Sequence, residues 1–171
     1  MIRSLLAALA VVLLVPLAAA ATAEHADVFN GTEINWRDSK SGIYEASKTG
    51  KPVLMVFHAT WCSACKQYRS VFKDPGIVAA TKDFVMILVD ADKEKEINGA
   101  FSPDGTYVPR TLFIDSAGNV SESLVGTDPK FPHTIDAENP AELLALMNKA
   151  KASGFGPTVP SSAPAPAENR T

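Results

Sequence analysis

Two cysteines, Cys62 and Cys65, are the only ones in this 171-residue chain. They stand three residues apart in Trp61-Cys62-Ser63-Ala64-Cys65, just after the apolar run from Pro52 to Phe57. That placement predicts a strand handing over to a helix at the first sulfur. If Cys62 opens the helix, its sulfur faces unpaired backbone N–H groups and the positive end of the helix dipole, both of which stabilise a thiolate. Such surroundings lower a cysteine pKa from about 8.5 into the range of roughly 3.5–7.5. A thiolate at neutral pH attacks a disulfide, and a second thiol one turn later resolves the mixed disulfide.

Other chemistries compete for the pair. A structural disulfide closing so short a loop removes little entropy from the unfolded chain. A structural zinc site needs four ligands, and His25, His58 and His133 are scattered rather than paired at ligand spacing. Two thiolates suit copper(I), so a copper carrier stays open as a reading, as does a redox-silent, chaperone-like client binder.

The two ends read differently from the middle. Arg3 followed by the apolar run Leu5–Ala20, interrupted by Pro16, and then by Ala21-Thr22-Ala23, has the form of a cleaved secretory leader over residues 1–23. The run is slightly short for a membrane span, which needs about 20 apolar residues. Export places the thiols where disulfides persist, in a periplasm or outside the cell, with an endoplasmic-reticulum lumen as the alternative. Residues 154–171 form an Ala/Pro/Ser-rich string expected to be a disordered tail. The segment 24–153 is long enough for one domain with its own core. Formal net charge is −3, or −4 without the leader, and no cluster of Lys or Arg suggests nucleic acid.

The elements that must position the sulfurs follow from periodicity. Ile34–Trp36 predicts a short strand, and Ser39–Thr49 a helix stopped by Gly50, with Ile43 as its main apolar anchor. Residues 53–57 and 84–89 are apolar on both faces, as in central strands of a covered sheet. Between them lie a helix from Lys66 to Lys73, presenting Tyr68 and Phe72 inward, and a short helical piece over 77–82. Residues 92–107 predict a surface loop with one helical turn. Thr111–Ile114 predicts a strand, with Val120–Val125 as its hairpin partner across the turn at Ser116–Asn119. Pro140 opens a last helix with Leu143, Leu144 and Met147 as its stripe. The order predicts a small α/β sandwich.

These residues resemble the thioredoxin fold, a central mixed β-sheet flanked by helices, over roughly Ile34–Ala152. The resemblance rests on WCSAC at 61–65, on the proline of Val108-Pro109 ahead of a strand, and on the hairpin and the last helix. INWRDSKSGIYEASKTGKPVLMVFHATWCSACK and FSPDGTYVPRTLFIDSAGNV are similar to the family of thioredoxin domain-containing protein 12 and the anterior-gradient proteins, whose PDG-x-Y-x-PR string is far more specific than Cys-x-x-Cys. The resemblance implies a secretory-pathway protein that makes, reduces or shuffles disulfides, with Cys62 as nucleophile and Cys65 as resolving thiol. It implies a cis Pro109 lying across from the cysteines, so that Val108 and Pro109 form a substrate-docking edge. Thioredoxin buries a carboxylate at the position held here by Val56, and the C-terminal Glu-Asn-Arg-Thr is not a retrieval signal of the Lys-Asp-Glu-Leu type.

Further expectations attach to single residues. Trp61 is expected to offer an apolar contact surface beside the sulfurs or to pack at the rim. His58, at a strand end, is expected to be half-exposed, or to modulate the thiolate if its ring reaches the site. Lys66 is a second candidate modulator of the anion, or a solvated lysine. Tyr107 and Arg110 flank the proline and are candidates to touch a client, with packing and solvent exposure as equal alternatives, and Trp36 is expected in the core. The expected partners are client thiols and disulfides and a separate redox partner, engaged by a monomer without metal or organic cofactor and, after leader removal, without a membrane.

Overall fold

The computed structural model describes residues 22–155, so the leader up to residue 21 and the tail from residue 156 lie outside the described residues. A four-stranded sheet runs through the domain in the order β1 (Trp36–Arg37), β3 (Val85–Asp90), β2 (Val53–His58), β4 (Arg110–Ile114). The first three strands are parallel and β4 is antiparallel to β2, so the sheet is mixed. Every residue of β2, β3 and β4 is buried, as the doubly apolar runs predict.

Five α-helices cover the two faces: α1 (Ser39–Thr49), α2 (Ser63–Tyr68), α3 (Pro75–Ala80), α4 (Lys95–Ala100) and α5 (Pro140–Ala152). One face of the sheet packs Leu54, Val56, Met86, Leu88 and Phe113 against Trp36, Phe29, Phe72, Leu143 and Met147. The other packs Met55, Phe57, Ile87 and Leu112 against Ala46 of α1, with Ile97 and Phe101 at its margin. Trp36 is fully buried and its indole donates to the Phe29 carbonyl at 2.6 Å, which satisfies the one polar atom of a core tryptophan.

Local chemistry sets the helix ends. The Asp38 carboxylate caps α1 by accepting from Ser41 N–H, and Gly50 ends the helix in the left-handed region at φ 67°. Asp74 caps α3 by accepting from Gly76 and Ile77, with Pro75 in the first turn. Tyr68 and Phe72 point inward as expected, although the helix from the cysteines turns 3-10 over Arg69–Lys73.

Two local expectations are corrected. Ile43 does not anchor α1: it is exposed, and the buried face is Ser39, Gly42 and Ala46. The helix lies so close to the sheet that a Cβ on Gly42 would fall 2.4 Å from Ile87 Cγ1, leaving no room on that face for larger side chains. The expected hairpin partner of β4 shrinks to a single bridge, Ile114 to Val120. The Ser121 hydroxyl then accepts from the N–H groups of Ser123 and Leu124, turning the chain out of register so that Leu124 enters the core.

The margins of the described domain also carry packing. Ala23, in the segment read as leader, is buried and donates to the Trp36 carbonyl at 3.2 Å. Phe155, in the segment read as tail, packs on the core and donates to the Ala150 carbonyl at 3.2 Å.

Candidate functional site

Cys62 is the N-cap residue of α2, with extended backbone angles that let its side chain fold back over the first turn. Its sulfur accepts from the Cys65 N–H at 3.0 Å, the hydrogen bond that an N-terminal thiolate would use. Cys62 and Cys65 are joined in a disulfide with Cα atoms 5.2 Å apart. Cys62 keeps 4% of its surface exposed and Cys65 none, so Cys62 is the more accessible of the two residues. With Ala59 the two cysteines form a small apolar cluster, and Val108 packs against it from across the site.

The Val108–Pro109 peptide bond is cis. The Val108 carbonyl oxygen lies 3.7 Å from the Cys62 sulfur, and among the described residues the Val108 N–H has no hydrogen-bond partner. Its neighbours are held. The Pro109 carbonyl accepts from the Thr134 hydroxyl at 2.8 Å, and Thr111 N–H donates to the His133 carbonyl at 2.7 Å. One residue of main chain is thus left open beside the sulfur while those around it are tied down. Cys62, Cys65, Val108 and Pro109 are therefore brought together.

Trp61 is 70% exposed, and its indole donates to the Asp92 carboxylate at 2.7 Å, tethering it to the loop after β3. Lys66 is exposed on α2 and forms no ion pair among the described residues. Val56 is fully buried in the apolar core, where the neighbouring polar feature is the hydroxyl pair Tyr68–Thr111 at 2.6 Å. Burial holds the Tyr68 phenol well above its ordinary pKa, so that pair donates and accepts without ionising.

His58 is not half-exposed but fully buried, because the segment Thr22–Phe29 lays Phe29 and His25 over it, with ring centroids 5.0 and 5.5 Å away. Among the described residues neither ring nitrogen has a hydrogen-bond partner. Burial drives its pKa down from 6.5 to about 4, against the pull of the Asp90 carboxylate on the neighbouring strand. Its ring is therefore neutral at physiological pH.

For Arg110 the structure selects packing over client contact and solvent. The residue is fully buried, so it does not meet a client, and its guanidinium lies 4.1 Å from the centroid of Phe57. It donates to the carbonyls of Tyr107 at 2.8 Å and Phe101 at 3.0 Å, and to the Asn98 side-chain oxygen at 2.7 Å. Tyr107 is half-buried: its hydroxyl donates to Asp104 at 2.6 Å and accepts from the His133 N–H at 3.0 Å, and its ring lies 4.9 Å from that of Phe131. The His133 ring in turn lies 3.0 Å from Asp104. The specific string at 103–110 thus has a physical content that spacing alone does not disclose. Asp92, Asn98, Phe131 and Thr134 join the site's surroundings with no motif to announce them.

A thioredoxin-like family profile matches residues 35–116. Anterior gradient protein 3 of Xenopus tropicalis is 32% identical over 124 residues, covering 70% of this chain and 73% of that protein. Its Mus musculus counterpart is 30% identical with the same coverage. The chain belongs to the anterior-gradient family. Among solved structures, a thioredoxin from Thermus thermophilus superposes with a TM-score of 0.54 at 23% identity, over 71% of this chain and 90% of that one. A disulphide isomerase from Xylella fastidiosa Temecula1 gives 0.52 at 22% identity, over 78% and 98%. The fold of this anterior-gradient chain is thioredoxin-like, a mixed four-stranded sheet flanked by helices.

Proposed function

We propose that this chain is an exported thiol–disulfide oxidoreductase that exchanges disulfides with client proteins through Cys62 and Cys65. The observation that supports it most is the Cys62 sulfur at the cap of α2, on the Cys65 N–H and facing an unpaired stretch of main chain at Val108. In the reducing direction the Cys62 thiolate attacks one client sulfur, forming a mixed disulfide and releasing a client thiolate. Cys65 then attacks the Cys62 sulfur, which breaks the mixed disulfide, forms the Cys62–Cys65 bond and frees the second client sulfur. The Cys65 proton ends on a client thiolate, so no carboxylate at position 56 is required for balance. Two electrons pass from the dithiol to the client, and the reverse sequence oxidises it. No metal or organic cofactor enters, because the two sulfurs carry both electrons.

The client lies as an extended segment along Val108, exchanging main-chain hydrogen bonds with its free N–H and carbonyl. Trp61 provides apolar contact on the other side of the sulfurs. Among the described residues no helix is long and apolar enough to cross a membrane. The protein works as a monomer in an extracytoplasmic compartment, periplasmic, secreted or of the reticulum lumen, with a separate redox partner.

Equilibration of the mature domain with glutathione buffers tests the reading. A potential near about −270 mV identifies a reductase, and one near about −150 mV an oxidase or isomerase. Copper(I) retention without any reversible exchange would overturn the assignment in favour of a binding module. In an insulin-reduction assay, Cys62→Ser abolishes turnover, whereas Cys65→Ser accumulates mixed disulfides.

A further inference from the structure

Arg110 presents a physical puzzle. It is fully buried and forms no ion pair among the described residues. A charge withdrawn from water without a counter-ion is costly, and here carbonyl and amide oxygens rather than an opposite charge offset that cost. What an apolar side chain cannot do is reach several carbonyls at once. The planar guanidinium fork does so here on two separate segments.

On one side, Nη2 takes the Phe101 carbonyl at 3.0 Å, the Asn98 side-chain oxygen at 2.7 Å and the Asn98 carbonyl at 3.3 Å, which lie at the C-terminal end of α4. Those main-chain oxygens are among the ones a helix end leaves unpaired, and a cation there is favourable. On the other side, Nη1 takes the Tyr107 carbonyl at 2.8 Å. That carbonyl belongs to the same peptide unit as the unpaired Val108 N–H. Stacking on Phe57, the residue paired with Arg110 across β2 and β4, fixes the plane of the fork.

We infer that Arg110 is a positioning residue for disulfide exchange with polypeptides. It locks the 107–108 peptide to the end of α4, and so holds the Val108 N–H and carbonyl at the right height beside the Cys62 sulfur. The Tyr107 hydroxyl, clamped between Asp104 and the His133 N–H, and the Thr134 hydroxyl on Pro109 brace the same turn from outside. The inference rests on the oxidoreductase reading for its kinetic consequence, but its structural half stands separately.

The test compares a disulfide-containing peptide with a small non-peptide disulfide as substrates of the whole mature protein. A small disulfide needs only the sulfurs, whereas a peptide also needs the Val108 main chain. Arg110→Lys keeps the charge and loses the fork. It should raise KM for the peptide about tenfold, the worth of one or two backbone hydrogen bonds, and lower the peptide-to-small-disulfide ratio of kcat/KM by a similar factor. Asn98→Ala, which removes one acceptor of the fork from outside the docking edge, should move the ratio the same way by about threefold. Equal losses on both substrates, or an unchanged ratio in both variants, overturn the inference.

Amide hydrogen exchange separates the two claims. Arg110→Lys or Asn98→Ala should exchange about tenfold faster than wild type at Phe101 and His133, whose N–H groups are bonded to the Ile97 carbonyl and the Tyr107 hydroxyl on the two segments the fork joins, with β2 and β3 unaltered. If wild type exchanges neither disulfide, the oxidoreductase reading fails, and unchanged local protection in both variants would then sink the positioning role on its own terms.

Discussion

Arg110 and His58 sit at the same end of the sheet, one on each face, and each is a polar side chain withdrawn wholly from water. Arg110 pairs across the ladder with Phe57, and His58 is the very next residue of β2. The arginine directs its Nη groups at carbonyl oxygens and stays charged, since its pKa is lowered from a value far above neutrality. The histidine has no hydrogen-bond partner among the described residues for either nitrogen and stays neutral at physiological pH. One buried group is held in place by bonds, the other by enclosure. The contrast separates what each can do: Arg110 transmits position between α4 and the Val108 edge, whereas His58 makes the fold less tolerant of acid.

Replacing each by an apolar side chain is the widest way to open that contrast. Arg110→Met leaves the part-buried carbonyls of Tyr107 and Phe101 without their donor, and should cost about 3 kcal/mol in urea unfolding at neutral pH. His58→Leu removes a ring that bonds to nothing, and should change stability by less than about 1.5 kcal/mol. Comparable losses in the two variants would show that the histidine nitrogens are satisfied after all.

Acid titration probes the histidine alone. Above pH 6.5 the ring is neutral in both the folded and unfolded chain, and contributes no pH dependence. Below 6.5 the unfolded chain takes up a proton that the folded chain refuses until about pH 4, so stability falls through that interval. The gap corresponds to at most about 3 kcal/mol, lost between roughly pH 6.5 and 4. The carboxylates of Asp38, Asp104 and Asp115 act in a different window. Their folded pKa values lie below 3.8, so their contribution is intact above that value and disappears only as pH falls further. Denaturant midpoints of the wild type should therefore decline from pH 6.5 to 4, and those of His58→Leu should stay nearly level over the same range. A parallel decline in both would move the acid sensitivity elsewhere.

The same two residues mark where the sequence was readable. The cysteine pair, the strands on either side and Pro109 are encoded by neighbours in the chain, so the thioredoxin arrangement and the sulfur roles could be anticipated from local pattern. Arg110 follows a proline, and its neighbours in the chain leave client contact, packing and solvent equally open. Its burial depends on the end of α4 arriving over it, and α4 was legible only as one turn in a loop. His58 closes an apolar run and reads as a half-exposed strand end. What buries it is Phe29 and His25, from a segment whose 3-10 turn over Ala26–Phe29 has no periodic signature. Ile43 misled for a related reason: apolar character marked it as the anchor, while the close approach at Gly42 decided which face of α1 could meet the sheet.

The smallest expected effect tests the electrostatics around the histidine. Asp90 stands in register beside His58, and its carboxylate also lies 3.7 Å from the His25 ring and accepts from the Asp92 N–H. Four charged or titratable groups face the imidazole: Asp90 and Glu24 favour its protonation, and His25 and Arg69 oppose it. Asp90→Asn keeps the acceptor oxygen for Asp92 and removes the charge. At neutral pH, with the ring uncharged, it should alter stability by less than about 1 kcal/mol. The ring loses its main attraction for a proton, so the His58 imidazole signals followed by NMR should titrate at lower pH than in wild type. The folded and unfolded values then lie further apart, and the loss of stability in acid becomes slightly larger, although a negative charge near the site has gone. A midpoint shifted upward would mean that Asp90 acts on His58 through packing and water access rather than through its charge.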